Sequence, residues 1–235
     1  MGQLHYLPVG LPLFLTLAGA LLLLVVLVPF GVLRNAYASL GVSSTTVLFV
    51  LLASLVGGYF NIPVAHLPQR RMASAGEVRA FGEVYVVPLV VNWPGTIVAV
   101  NVGGALIPGA ASLYLLFKHA LWARGAIAVA LVAGVCHALA RPVPGLGIAL
   151  PDFVPGLAAA AAALALSPRR AAPLAYVGGS LGVLVGADLL NLAKLQGLGA
   201  PVASIGGAGA FDGIFLTGIV AVVIASLPWS GRAGI

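Results

Sequence analysis

Two acidic residues lie where charge is costly to bury. Asp188 and Asp212 each fall inside a run of apolar residues that has the composition of a lipid-spanning helix. An Asp at the centre of such a helix costs about 3 kcal/mol, so both residues are predicted to be functional. Two carboxyl groups held close together cannot both ionise cheaply, and the pair could share one proton around a single water. That arrangement suits the hydrolysis of peptide bonds.

Two predicted helices position this pair. Apolar patterning predicts helices over 173–195 and 210–227, joined by a turn-rich linker over 196–209. At a rise of about 1.5 Å per residue, Asp188 lies about 10 Å before the end of the first helix and Asp212 within about 7 Å of the start of the second. Because the two helices run antiparallel as neighbours, the acids are expected at similar depth.

Three glycines predict which face of the first of these helices packs against a neighbour. Gly178, Gly182 and Gly186 recur every four residues and form a smooth seam that another helix can approach closely. Asp188 and Asn191 lie off this seam, because two residues beyond Gly186 the helix has turned by about 200°. These two polar side chains are therefore expected to face a different neighbour, the helix over 210–227.

The composition is that of a membrane protein. Of the 235 residues, 61% are hydrophobic and 7% are charged, and the mean hydropathy is +1.14. No ordinary soluble domain approaches these values, which predict an all-α, multi-pass membrane protein with a single domain over 1–235. The net charge of +6 comes from basic residues scattered at helix ends, which does not predict nucleic-acid binding. The single cysteine and the lack of metal or phosphate-loop spacing predict no metal and no other cofactor.

About seven transmembrane helices are predicted from the apolar runs. The first five cover about 8–33, 45–60, 96–117, 122–140 and 153–167. A charged segment separates the second helix from the third, and its valine-rich run over 83–91 predicts a short strand or hairpin at the membrane surface. The orientation stays open, because Lys and Arg divide almost evenly between the two sides of the predicted bundle.

The segment over 141–155 cannot be helical, because prolines and glycines recur too closely. The helix that follows is about 22 Å long, shorter than the roughly 30 Å apolar thickness of a bilayer. Part of this broken, proline-rich segment must therefore enter the membrane, where non-helical backbone is tolerated only if it is buried or lines a cavity. Gly145, Gly147 and Pro151 are predicted cavity residues, and Asp152 is interpreted as the N-cap of the following helix.

Three further polar residues are candidates for a polar cavity. Asn101 falls in the third predicted helix, where nearby glycines are expected to bend the backbone; packing is the first interpretation of this cluster and a direct role is the alternative. His137 and Arg141 are four residues apart, which places them on one helix face. Arg141 alone would be a flanking charge, whereas the pair could also line a polar cavity.

Several stretches resemble one membrane family. They are GADLLNL at 186–192, SIGGAGAFDGIFLTG at 204–218, NVGGALIP at 101–108 and RPVPG at 141–145. They are similar to an uncharacterised archaeal and bacterial membrane family, the domain of unknown function sixteen-fourteen, over most of the chain after Ile62. This resemblance implies a location in the cell membrane of a prokaryote and supplies no activity.

A more distant likeness implies a mechanism. DLL at 188–190 and GAGAFD at 207–212 resemble the two aspartate motifs of presenilin-like intramembrane aspartyl proteases, although Ala187 stands where that family has Tyr. The resemblance implies that Asp188 and Asp212 are catalytic and that the substrate is a membrane-embedded peptide. The tripeptide ALP at 149–151 could take the part of that family's Pro-Ala-Leu motif, which presents backbone to a substrate strand.

The same residues fit two other classes of function. Membrane carboxylates, Asn101 and broken helices are also the components of a proton- or cation-coupled carrier for small solutes. A third interpretation is a structural protein in which the two acids are merely hydrogen-bonded. A protease needs both acids within reach of one water, whereas a carrier can use one acid alone.

Overall fold

The computed structural model describes most of the chain beyond the first predicted helix. The described residues are 19, 39–68, 70–71, 77–80, 83–86, 92–93, 95–143, 147–151, 153–195, 202–207 and 210–226. The helix predicted over 8–33 therefore lies outside the described residues, as do Gly145 and Asp152.

The described part of the chain is mostly helical. Its six helices are α1 (Ser44–Gly57), α2 (Ile107–His119), α3 (Trp122–Leu139), α4 (Val154–Leu166), α5 (Ala171–Val183) and α6 (Ala210–Ser226). Helix α5 packs against α2, α3, α4 and α6 and is buried on almost every side, as its uniformly apolar surface requires. The helices predicted over 45–60, 122–140, 153–167 and 210–227 are confirmed with small shifts at their ends.

Within the described residues, two helical stretches are long and apolar enough to cross a membrane. They are Trp122–Leu139 and Pro168–Leu195, with mean hydropathies of 1.6 and 1.5. Only 28% of the first stretch is buried inside the protein, against 67% of the second. Helix α3 therefore presents most of its apolar surface outward, whereas α5 forms the centre of the bundle.

The glycine seam packs as its spacing predicts. Carbon atoms added as Cβ at Gly178 and Gly182 would meet Ala128 at 3.1 Å and Val132 at 2.6 Å, both on α3. Gly186 likewise approaches the backbone of α3, at Ala133. Small residues thus let α5 and α3 lie in close contact along one face, which leaves the opposite face free for a different neighbour.

A three-stranded sheet corrects the all-α prediction. The first residues of the helix predicted over 96–117 form strand β6 (Thr96–Asn101), and the linker predicted over 196–209 contains strand β9 (Val202–Ile205). Strand β6 lies between β1 (Asn61–Leu67), which is antiparallel to it, and β9, which is parallel to it. β-branched residues dominate β6, and these favour a strand, whereas apolar composition alone does not distinguish a strand from a helix.

Two further strand pairs lie between β1 and β6 in the sequence. Strands β2 (Arg70–Arg71) and β5 (Asn92–Trp93) pair with each other, as do β3 (Glu77–Ala80) and β4 (Glu83–Val86). Both pairs keep the antiparallel register that β1 and β6 have after the shift between Pro63 and Ala65. A strand or hairpin between the second and third predicted helices is therefore confirmed, and it is longer than expected.

The described residues of the proline-rich segment that precede α4 are not helical, and two stretches of them are extended, as predicted. Strand β7 (Arg141–Val143) pairs antiparallel with β8 (Gly147–Ala149), and α4 begins at Val154. Gly147 has φ of +121°, a conformation that L-residues with side chains rarely adopt. Glycine at this position therefore permits the backbone conformation with which β8 begins.

The close packing at the glycine seam predicts how a substitution there changes stability. Gly182→Ala should lower the free energy of unfolding by about 1–3 kcal/mol, because the new methyl group would overlap Val132 and force the helices apart. Gly134→Ala is the matched control, since a Cβ at that exposed helix position would meet no atom within 4 Å. The control should keep or raise stability by about 0.5–1 kcal/mol through helix propensity alone. Denaturant titration of both variants in detergent checks this, and equal stability would contradict the packing.

Candidate functional site

Helix α5 loses its regular form where it reaches Asp188. The chain continues as a π-helical turn, Leu184–Asp188, then a 3₁₀ turn, Leu189–Asn191, and a last helical turn, Leu192–Leu195. Such π-helical turns are rare and occur frequently at functional sites. Asp188 ends this turn and is only 6% exposed. A carboxyl group buried to this extent needs a hydrogen-bonding partner.

That partner is the backbone of the turn that follows β9. The Gly206 amide donates a 2.7 Å hydrogen bond to Oδ2 of Asp188. Gly206 has φ of +74°, in the left-handed region that favours glycine. A Cβ there would also meet the backbone nitrogen of Ala105 at 2.6 Å. Glycine is therefore required both for the turn and for its close approach to the second π-helical turn, Val102–Leu106.

The Asn191 side chain stabilises the irregular turn by hydrogen-bonding to its backbone. Its side chain is fully buried, and its Nδ2 donates to the carbonyl oxygens of Gly186 at 2.8 Å and Ala187 at 3.0 Å. These two carbonyl groups belong to the π-helical turn that ends at Asp188, so Asn191 holds the backbone that presents the acid. Its Oδ1 is buried and has no hydrogen-bond partner among the described residues.

A second polar cluster ties the three strands together at the same end of the sheet. Buried Asn101 accepts a 2.8 Å hydrogen bond from the Gly104 amide and donates to the carbonyl oxygen of Gly58 at 2.8 Å. Its Nδ2 also donates to Oδ1 of Asn61 at 3.1 Å, and the same oxygen accepts from the hydroxyl of Ser204. Asn61, Asn101 and Ser204 lie on β1, β6 and β9, so one amide oxygen joins all three strands just before Gly206.

A small cavity borders Asp188. Its volume is about 30 Å³, which gives room for about two water molecules. Strands β8 and β9 line it from two sides, together with the residues after the break in α5. The described lining residues are Gly147, Ile148, Asp188, Leu192, Leu195, Val202, Ala203, Ser204, Ile205 and Gly207.

Asp212 lies in the first turn of α6, and its side chain is outside the described part of the structure. Thr217 lies opposite Gly179, where an added Cβ would meet its methyl group at 2.9 Å, which fixes the relative depth of α5 and α6. From this contact the last four residues of α5 and the irregular turn Leu184–Asp188 lead to Asp188, and Asp212 lies five positions before Thr217 on α6.

The other predicted site residues are scattered around this centre. Gly147 lines the cavity, and Asn191 and Asn101 support the backbone around it. Among the described residues, the cavity lining does not include His137, Arg141 or Pro151. His137 is half-buried at the end of α3, and Arg141 is exposed on β7. In the described part of the chain, no group of three or more His, Cys, Asp or Glu side chains could hold a metal ion.

Three residues of the site were not identified from the sequence. Asn61 and Ser204 bond to each other across 143 positions of sequence, and Gly206 reaches Asp188 across 18. The sequence signal for Gly206 was its place in the glycine-rich turn that precedes α6. No local pattern marks Asn61, because its role depends on strand pairing between distant segments.

The amide oxygen of Asn61, which accepts two hydrogen bonds, predicts a loss of stability when this side chain is removed. Asn61→Ala should lower the free energy of unfolding by about 1–3 kcal/mol, because the Asn101 amide and the Ser204 hydroxyl lose their common acceptor. His66→Ala is the control, since that side chain is exposed on the same strand. Thermal unfolding in detergent compares the two variants. Stability of Asn61→Ala equal to that of the control would show that the cluster does not hold the strands together.

Comparison with known proteins identifies the family. No curated protein and no solved structure matches the chain. A family model described as "Protein of unknown function (DUF1614)" matches residues 55–224, which is well over half of the sequence and includes every residue of the site described above. The chain therefore belongs to the DUF1614 family.

Proposed function

We propose that the protein is a multi-pass membrane hydrolase, located in a prokaryotic cell membrane, that cleaves membrane-embedded peptides with a pair of acids, Asp188 and Asp212. The observation that carries this proposal is a buried carboxyl group beside a cavity the size of two water molecules, between two strands. Water at this position would lie within reach of an acid that the protein backbone already orients.

The outward face of α3 supports a membrane location. Ile127, Leu131 and Val135 follow one another every four residues on this helix and are 48%, 53% and 36% exposed. A contiguous apolar stripe of this kind is unfavourable in water and suits contact with lipid. The composition of the whole chain agrees, since 7% of the residues are charged.

The proposed chemistry uses the two acids in turn. One carboxylate takes a proton from the water as the water oxygen attacks the peptide carbonyl carbon, and the other carboxyl group protonates the carbonyl oxygen. The tetrahedral intermediate, a gem-diol, then collapses as the C–N bond breaks. The acid that took the water proton gives it to the leaving nitrogen, and the other carboxylate takes a proton from one hydroxyl of the gem-diol, which restores both acids to their starting states. The Gly206 amide fixes the orientation of Asp188 through both steps.

Strand β8 supplies a place for the substrate backbone. Gly147 and Ile148 border the Asp188 cavity, and among the described strands β8 pairs only with β7. Its second edge could pair with an extended peptide by strand addition, which exposes the scissile amide to the acids. A helical peptide would have to unwind locally to bind this way, because its carbonyl groups are otherwise hydrogen-bonded within the helix.

A second candidate function is a proton- or cation-coupled carrier. The observation that favours it is the buried Asn191 Oδ1, which has no partner among the described residues and belongs to the 3₁₀ turn that follows Asp188. Two helices that lose their regular form near one carboxyl group are typical of carrier sites. In this function Asp188 would bind the coupling ion, and Asp212 would be dispensable.

Substitution of the acids distinguishes the two functions. Asp188→Asn and Asp212→Asn should each reduce cleavage of a reconstituted transmembrane peptide by at least about 100-fold, because neither acid alone can serve both proton transfers. Glu77→Gln, in the hairpin, is the control and should retain activity. Mass spectrometry in ¹⁸O-labelled water checks the chemistry, since hydrolysis places one heavy oxygen in the new carboxyl terminus.

The carrier function predicts a different and equally specific result. No cleavage of any tested peptide by the wild-type protein, together with proton or sodium uptake into proteoliposomes that only Asp188→Asn abolishes, would replace the hydrolase by the carrier.

A further inference from the structure

The end of the bundle farthest from Asp188 carries unopposed positive charge. It is built from the segment over 39–43, the end of α2, the start of α3 and the turn Pro168–Arg170. Helix α5 starts beside this turn and reaches Asp188 about 25 Å away. The basic residues here are Lys118, His119, Arg124, Arg169 and Arg170, and none of the five acidic residues of the chain lies in these segments.

Lys118 is held in place by neutral groups. Its ammonium group donates to the carbonyl oxygen of Gly41 at 2.5 Å and to the Tyr114 hydroxyl at 3.2 Å, and it lies 5.4 Å from the centre of the Tyr114 ring. Neighbouring bonds fix the same loop, since His119 bonds to the carbonyl oxygen of Leu40 at 2.9 Å. Lys118 is therefore an oriented cation whose described partners leave its charge uncompensated, which suits an anionic ligand.

An apolar cavity opens beside Lys118. Its volume is about 360 Å³, within the range of ligand-binding pockets. It lies among α1, α2, α5 and α6, and it follows α1 from Thr46 to Ser54, a distance of about 12 Å. No charged side chain belongs to its described lining. The lining residues are Leu40, Val42, Thr46, Val47, Val50, Leu51, Ser54, Ile107, Pro108, Ala110, Ala111, Tyr114, Leu115, Tyr176, Ser180, Ile214, Gly218 and Ile219.

We infer that this cavity and Lys118 form a binding site for an anionic phospholipid, with an acyl chain in the cavity and the phosphate on the Lys118 ammonium group. Tyr114 connects the two parts, because it lines the cavity and bonds to Lys118. A free phosphate ion would not enter the apolar cavity, since burying an unpaired anion there is costly. A lipid without net negative charge would leave the positive charge of Lys118 uncompensated. The inference rests on the membrane location proposed above and not on the hydrolase chemistry.

The headgroup half of the site can be tested with matched lipids. Native mass spectrometry of the full chain in detergent should show phosphatidylglycerol binding more tightly than phosphatidylcholine with the same acyl chains. Lys118→Met should lower the affinity for phosphatidylglycerol about tenfold and remove the preference, because it deletes a charge-assisted hydrogen bond. Arg124→Met removes an exposed charge from the same end of the bundle, outside the described cavity lining, and should behave like the wild type.

The acyl-chain half of the proposed lipid site is tested with variants whose larger side chains fill the cavity. Ala111→Phe and Val50→Phe should each reduce phosphatidylglycerol binding at least about tenfold, since hydrophobic burial of the chain is lost. Elution as one species and an unchanged melting temperature identify the variants that remain folded. Soluble glycerol phosphate should not displace the bound lipid.

Three results would overturn the inference. They are equal binding of the two lipids by the wild-type protein, full binding by Lys118→Met or by a folded cavity variant, and displacement by glycerol phosphate, which would identify a soluble anion as the ligand. Peptide cleavage is not measured in these experiments, so their failure would leave the proposed hydrolase intact, and the reverse also holds.

Discussion

A hydrogen bond of 2.7 Å joins the Gly206 amide to the Asp188 carboxyl group, and much of the surrounding structure serves to make it possible. A buried carboxyl group must be hydrogen-bonded, and a regular helix offers no free amide at its middle. The chain meets this need by ending a strand beside the acid and turning there through a glycine with positive φ. The irregular end of α5 presents the acid to that turn, and Asn191 holds the irregularity in place.

The sheet explains how buried non-helical backbone is hydrogen-bonded at one end of the helix bundle. Strand β6 is paired on both edges, so its amide and carbonyl groups are satisfied without water. Asn61, Asn101 and Ser204 close the end of this sheet with side-chain hydrogen bonds. The molecule thus has two unlike ends: one combines strands, amides and Asp188, and the other combines basic residues with an apolar cavity. We assign catalysis to the first end and lipid binding to the second as separate proposals.

The elements that sequence reasoning recovered depend on local patterns. Helix α3 follows from apolar length, the close helix packing at Gly182 from glycine spacing, and the described extended residues before Val154 from the prolines. Strands β6 and β9 were missed because their pairing joins residues about a hundred positions apart, and no local pattern encodes that pairing. Asp188 could be singled out by the cost of burying it, whereas its partner Gly206 could be found only from the fold.

The pairing of the two acids is the central claim, and a proximity measurement tests it most directly. In a Cys136→Ser background, Asp188→Cys combined with Asp212→Cys would be treated with a bifunctional thiol reagent that has a one-carbon spacer. Asp188→Cys combined with Thr217→Cys is the control pair, since Thr217 lies about 7.5 Å further along α6. If Asp188 and Asp212 act on one water molecule, the first cysteine pair should cross-link rapidly and the control pair should not cross-link. No cross-link in the first pair, or equal rates in both, would contradict the claim.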